Sequence, residues 1–369
     1  MTRLVLVGGG HANIEVLRRF GLKREPDTEI TLINTSRHTV YSRMLPGLVA
    51  GHYGWRACFI DLEVLARFAG ARLLRDIAVG LDLERKLVRC ADAAEVPYDI
   101  ASVDVGSAPS APAFPHPDSR PMSVRPVQRF ISTWDGLVHE AGDRELTLQV
   151  VGATTAAIEL CLSMQHRLLR RVPQNRVKFG VIAPTADILP DHNAGVRRRV
   201  TRILRGRGVA IRTARRVLRV ASKDLILEGD EVVPADHVLW ATGPSAPRWL
   251  GEIGLRTNDE GFVLIDDKLR ALSHPDIFAA GDVATMVDHQ QPSELSAVHQ
   301  GPSLAANLRL ALRGDTPRAF EPPSSLLQLI TTGDQNAIAS WGPLHAEGHW
   351  VWNWKDRIDR SFIRRYAVR

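Results

Sequence analysis

The chain has 369 residues, enough for two or three domains with cores of their own, and its apolar and charged fractions are ordinary for a globular protein. No apolar run approaches the roughly 20 residues that cross a bilayer, and Cys58, Cys90 and Cys161 stand singly, which argues against a redox dithiol or a zinc site and for buried structural thiols. The formal charge of +6 gathers in Arg197 to Arg207 and at the carboxyl terminus, with no nucleic-acid motif near either cluster, so no nucleic-acid partner is expected.

The first element is Leu4-Val5-Leu6-Val7, a short apolar run that enters Gly8-Gly9-Gly10-His11-Ala12-Asn13 and then the helical pattern Ile14, Val16, Leu17, Phe20. Glycines permit a tight strand-to-helix turn and let a pyrophosphate approach the amides at a helix amino terminus. Gly8, Gly10, His11 and Ala12 are therefore candidates to line a dinucleotide phosphate. The fingerprint is imperfect: its third glycine is Asn13, and the second strand, Glu29 to Ile33, ends at Asn34 in place of the acid that usually holds a ribose. Asn34 can still bond ribose hydroxyls. Alternatively Ser36 and Arg37 receive a 2′-phosphate, as arginine does in other dinucleotide folds. The turn starts at residue 8, leaving no room for a leader, so a cytoplasmic location is expected, peripheral on the inner face of the membrane if the carboxyl end docks there.

A linker rich in proline, serine and alanine, Gly106 to Pro126, precedes a second strand-turn-helix: Glu145 to Val151, Gly152-Ala153-Thr154-Thr155-Ala156-Ala157, and a helix from Ile158 to about Leu169. Strand Val177 to Ala183, a basic helix Val196 to Arg207 and strand Val209 to Arg212 complete a second nucleotide-type unit. Its turn carries Thr154 and Ala157 where glycines would admit a diphosphate, and the next strand ends at Ala183-Pro184 with no acid or arginine for a ribose, so nicotinamide binding is expected to be weak or lost. A crossing near Gly243 to Pro247 returns to the first unit at Ile277-Phe278-Ala279-Ala280-Gly281-Asp282, a buried-strand run that ends in a carboxylate able to accept from a polyol. The glycine turn at one extremity and Gly281-Asp282 at the other point to FAD. Beyond Phe320 the chain reads as strands Leu326 to Thr331, Ala337 to Trp341 and Trp350 to Trp354, then a short basic helix with Ile358, Phe362 and Tyr366 on one stripe. That stripe suits an anionic membrane surface, the protein's own sheet or a homodimer contact.

Gly8-Gly9-Gly10, Tyr98-Asp99 with Val105 to Pro109, Trp240-Ala241-Thr242-Gly243 and Phe278 to Asp282 fall in the order found in two-dinucleotide-domain flavoproteins. The chain resembles the pyridine nucleotide-disulfide oxidoreductase superfamily, within it the type II NADH dehydrogenases. Through Ser36 to Gly47 and Lys355 to Arg360 it resembles the flavoprotein fused to selenide water dikinase in some bacteria. The resemblance implies an α/β fold of two Rossmann-like domains, glutathione-reductase-like, the second inserted in the first, with a small α+β carboxyl-terminal region. Residues 1–110 and 244–319 would be the two parts of the FAD domain, 111–243 the inserted NAD(P)-binding-like domain and 320–369 a cap.

By the same resemblance Gly8 and Gly10 line the pyrophosphate, Asn34 lies by the adenosine ribose, Ala78 by adenine, Gly106 in the second flavin motif, Asp282 accepts from the ribityl chain, and Ala297 to Gln300 begin a helix aimed at the flavin's pyrimidine end. Tyr41 to Leu45 would run beside the isoalloxazine, where disulfide reductases carry a cysteine pair absent here. Arg43, Glu159 and His299 become the catalytic candidates: Arg43 to orient an anionic substrate or contact the cofactor phosphates, Glu159 at the nicotinamide pocket, His299 as a proton donor. Each also reads as an ordinary residue, respectively a surface ion-pair partner, a first-turn glutamate favoured by the helix dipole, and a packing or capping histidine. The implied activity is electron transfer through flavin from a small-molecule donor to a quinone or small acceptor. Two alternatives stay open: a flavoenzyme that has lost nicotinamide and acts directly on a metabolite, with dioxygen as a partner, and a non-catalytic flavin-binding protein.

Overall fold

Apolar strand runs separated by helices of 3.6-residue period build two parallel-dominated sheets. The computed structural model describes residues 1–368 other than Ala93, 109–120, 288–293 and Ser324, with backbone only for 294–296. Pro109 and the middle of the proline-rich linker therefore lie outside the described residues, as does Arg369 of the basic carboxyl end. The larger sheet has eight strands in the order Ala284–Met286, Val263–Ile265, Arg270–Ala271, His274–Ala279, Ile100–Val103, Thr2–Val7, Thr28–Ile33 and Arg72–Leu74. Strand His274–Ala279 pairs in parallel with Ile100–Val103, which pairs in parallel with Thr2–Val7. Segments from the two ends of the chain thus share one surface, and their carboxyl ends open on the same side.

The smaller sheet is parallel throughout, in the order Met122–Ser123, His237–Trp240, Leu146–Val151, Val177–Ile182 and Ala210–Arg212. Each sheet has its own buried apolar cluster. All three cysteines are free and buried, and burial pushes the Cys161 thiol up to about 12, which makes it a packing residue.

The carboxyl-terminal region departs from the sequence reading. Strands Gln328–Thr331 and Ala337–Trp341 form as expected, but a third strand, Leu344–Gly348, completes the small sheet, and Trp350 to Trp354 lie inside an 18-residue helix, His349–Tyr366. The alternation of tryptophans imitates strand period. The buried residues Val351, Lys355, Asp359, Phe362 and Tyr366 instead follow helical spacing. Phe362 and Tyr366 pack on the core of the eight-stranded domain, while Trp350, Trp354 and Ile358 remain exposed at 58%, 40% and 38%. The expected stripe therefore divides between core and surface. The helix is pinned to the first domain by Tyr366 Oη, which donates to Glu15 at 2.9 Å, and by Tyr53 Oη, which donates to Asp356 at 2.8 Å.

Candidate active site

The glycine turn sits where the opening strand meets the opening helix, His11–Leu22. Gly8 holds the left-handed φ of 93°, and a Cβ there would lie 2.4 Å from the carbonyl of Asp104. The turn's amides are engaged inside the protein: Gly8 N donates to Ile33 O, Gly10 N to Asp104 O, and Gly9 N to Asn34 Oδ1 at 2.9 Å. Asn34 spends its other end on Ser36 O, so it orders the turn from the neighbouring strand. Asn13 has a packing reason for replacing the third glycine. Its amide donates to Gly8 O at 2.9 Å and accepts from Ser102 Oγ at 2.7 Å, stitching the helix to strand Ile100–Val103.

Beneath the turn lies Asp104, which sequence reasoning missed. Its Oδ2 accepts from Ala12 N at 2.8 Å and Asn13 N at 3.0 Å, and burial pushes its carboxyl up to about 7. Nearby, Asp282 accepts from Arg125 at 3.0 Å, a second residue not foreseen, and Gly281 N donates to Gln300 Oε1 at 2.8 Å. The helix that bears Gln300 begins at Glu294, three residues before the expected start at Ala297. Ala297 is buried one turn inside it, against Gly281. Arg37 is half exposed and engaged with Asp61 at 2.9 Å and Glu63 at 3.2 Å. Ala78 opens a strand of a separate three-stranded sheet. His11 packs edge-on against Tyr41 and Phe362, which stack 4.1 Å apart.

Of the three candidates Arg43, Glu159 and His299, read from distant segments, Arg43 lies within electrostatic reach of the other two. Glu159 is buried on the helix Thr155–Leu169, Thr331 N donates to its Oε1 at 2.8 Å, and burial pushes its carboxyl up to about 7 against the pull of Lys355 and Arg43. Burial and the Arg43 charge both lower the His299 imidazole below its usual range. The member that sequence reasoning left out is Lys355, only 5% exposed, whose Nζ donates to Arg43 O at 2.7 Å and to Asp359 at 2.6 Å. Asp359 is fully buried and its other oxygen lies 4.0 Å from Arg43 Nε.

The second turn carries Thr154 at the amino cap of the helix Thr155–Leu169. Thr154 caps its helix by accepting from Ala157 N at 3.2 Å and donates to Ala241 O at 3.2 Å, so the hydroxyl occupies amide capacity that a diphosphate would use.

Residues 2–307 match the family described as pyridine nucleotide-disulphide oxidoreductase. The chain belongs to that family. It is an FAD-dependent oxidoreductase. An NADH dehydrogenase-like protein of Mycobacterium tuberculosis is 26% identical over 82% of this chain and 78% of its own length. The demethylphylloquinone reductase of Synechocystis is 24% identical over 90% of this chain and 85% of its own. The sulfide:quinone oxidoreductase of Aquifex aeolicus superposes with a TM-score of 0.83 at 16% identity, covering 99% of this chain and 91% of that one.

The backbone of this pyridine nucleotide-disulphide oxidoreductase fits the long dinucleotide that its family takes. Gly8, Gly106 and Gly281 all hold left-handed φ, at 93°, 72° and 71°, where the three central strands end. Side chains there would collide with the packing beneath the turn: a Cβ on Gly281 would lie 2.8 Å from Asp104 Oδ1, and one on Gly10 closer still, so only glycine lets the backbone lie this close to Asp104.

Proposed function

We propose that the chain is a divergent NAD(P)H dehydrogenase-like enzyme that passes two electrons through FAD to a quinone or comparable small acceptor. The observation that carries this reading is that the charge of Arg43 acts on both Glu159 and His299, while buried Lys355 acts on Glu159 and is tied to the Arg43 carbonyl. The bound flavin would supply two-electron storage between donor and acceptor. Reduction of a quinone also needs protons, and a buried carboxyl near 7 holds one at working pH. Thr331 N–H occupies Oε1 of Glu159, which leaves Oε2 as the proton's place. Lys355 and Arg43 set fixed positive charge beside it, and that charge favours an oxyanion developing on the acceptor. The names of the curated relatives support the same chemistry.

In this reading Gly8, Gly10 and Ala12 carry the pyrophosphate, Asn34 the ribose side, Gly106 and Asp282 the ribityl end, and Ala297 the pyrimidine end. Among the described residues no helix is long and apolar enough to cross a membrane. Exposed Trp350, Trp354 and Ile358, with Arg357 and Arg364 beside them, support a peripheral contact with an anionic membrane that would bring a lipid-soluble acceptor to the site. One observation favours a second reading, in which a metabolite replaces nicotinamide as donor: Thr154 fills the second turn. Steady-state oxidation of NADH and NADPH with and without a soluble short-chain quinone separates them. Quinone-dependent oxidation supports the first reading, and none with either donor by the flavin-loaded enzyme supports the second.

A further inference from the structure

The amino terminus of the opening helix already holds a carboxyl group. Asp104 Oδ2 takes the amides of Ala12 and Asn13 at 2.8 and 3.0 Å, the two donors that the helix dipole and the glycine turn otherwise present to a phosphate. We propose that Asp104 is an internal competitor of the cofactor's diphosphate, so that FAD is taken up together with one proton, which resides on Asp104. The inference rests on FAD occupying this crevice and goes beyond it by assigning a proton to the binding step.

Three features place the carboxyl in the path of the diphosphate. Asp104 Oδ1 lies under Gly10 and Gly281, where added Cβ atoms would come within 2.2 and 2.8 Å of it, so the carboxyl forms the floor between both glycine motifs. The residue is 2% exposed, so water does not screen it from a charge above. Its backbone leaves it no retreat, since Asp104 N donates to Val7 O and Asp104 O accepts from Gly10 N.

Among the described residues, charge acts on Asp104 from two sides. Asp282, after strand His274–Ala279, opposes ionisation, and Arg125, before the helix Val127–Asp143, favours it. His11, on the opening helix, turns its ring to Tyr41 and Phe362. Gln300, on the helix Glu294–Leu312, is uncharged and bonds Gly281 N. With the carboxyl already near 7, a doubly charged diphosphate beside it drives the proton on. A protonated Asp104 still accepts from one amide and frees the helix dipole for the phosphate.

The test uses the full chain stripped of flavin, titrated calorimetrically with FAD in two buffers of different ionisation heat at pH 6 and pH 8.5. The expected result is close to one proton taken up per FAD at pH 8.5 and close to none at pH 6, with Kd weakening about tenfold per pH unit above 7. Riboflavin, which lacks the diphosphate, is expected to bind without proton uptake. Asp104→Asn keeps an amide acceptor, and its Kd for FAD is expected to be flat with pH and tighter than wild type at pH 8.5. Tight FAD binding by the wild type with no proton uptake at pH 8.5, or unchanged uptake by Asp104→Asn, would overturn the proposal whether or not the variant is fully stable. Absence of FAD binding at every pH would overturn the flavin site itself, and the two failures are distinct.

Discussion

Lys355 donates from its ammonium to the backbone carbonyl of Arg43, 2.7 Å away and 312 positions earlier in the chain. The carboxyl-terminal helix is thereby fastened to the loop that carries Arg43, and a buried charge becomes part of the site.

Lys355→Met removes both that tie and the partner of fully buried Asp359, leaving an ionised group to Arg43 alone at 4.0 Å. Unpairing a buried charge costs about 3 kcal/mol or more. Denaturant unfolding is expected to show that loss, and Lys355→Met with Asp359→Asn is expected to recover much of it. Acceptor kcat is expected to fall in both, while the rate of flavin reduction by donor changes little.

Glu159→Gln keeps the acceptor for Thr331 N and removes the titration. Because the folded carboxyl stands near 7 against an ordinary value of 4.5, its contribution to stability is full below pH 4.5 and is lost as pH rises through 7. The shift corresponds to about 3 kcal/mol as an upper bound for this buried group. Thermal unfolding is expected to show the variant several degrees more stable than wild type at pH 8 and equal to it at pH 4.5. A gain of the same size at both pH values would assign it to packing.

Much of the fold was readable because its signals are local. Gly8 and Gly281 announce themselves by residue type, and the strand runs around them need only their neighbours. Asp104, Arg125 and Lys355 were missed because each acts across the fold: Asp104 caps a helix 92 positions away, and Arg125 meets Asp282 from 157 positions away. The carboxyl-terminal helix was misread for a related reason. Its buried stripe contains Lys355 and Asp359, so an apolar pattern search passes over the positions that define the period, and the surface tryptophans supply a false one. Arg43, Glu159 and His299 were singled out largely through resemblance, since nothing local joins them.

Thr154→Gly opens the second turn at the expense of a helix cap, a loss of roughly a few tenths of a kcal/mol. If the hydroxyl is what limits nicotinamide binding, the KM for NADH is expected to drop severalfold with kcat preserved. An unchanged KM would place the limit elsewhere, at the strand end Ile182-Ala183-Pro184.

Replacing Trp350, Trp354 and Ile358 with serine alters exposed positions only. Flotation with vesicles rich in anionic lipid is expected to lose most bound protein, and wild-type binding is expected to weaken as salt rises. Equal flotation of both forms would remove the membrane role from this helix.

The most direct measurement of the electron path is anaerobic mixing of the FAD-loaded protein with NADH and, separately, NADPH, followed by a soluble quinone, while the flavin absorbance is recorded. Bleaching by one of the donors, with colour restored on addition of quinone, is the expected result. Flavin that stays oxidised with both donors would contradict passage of electrons from nicotinamide through this site.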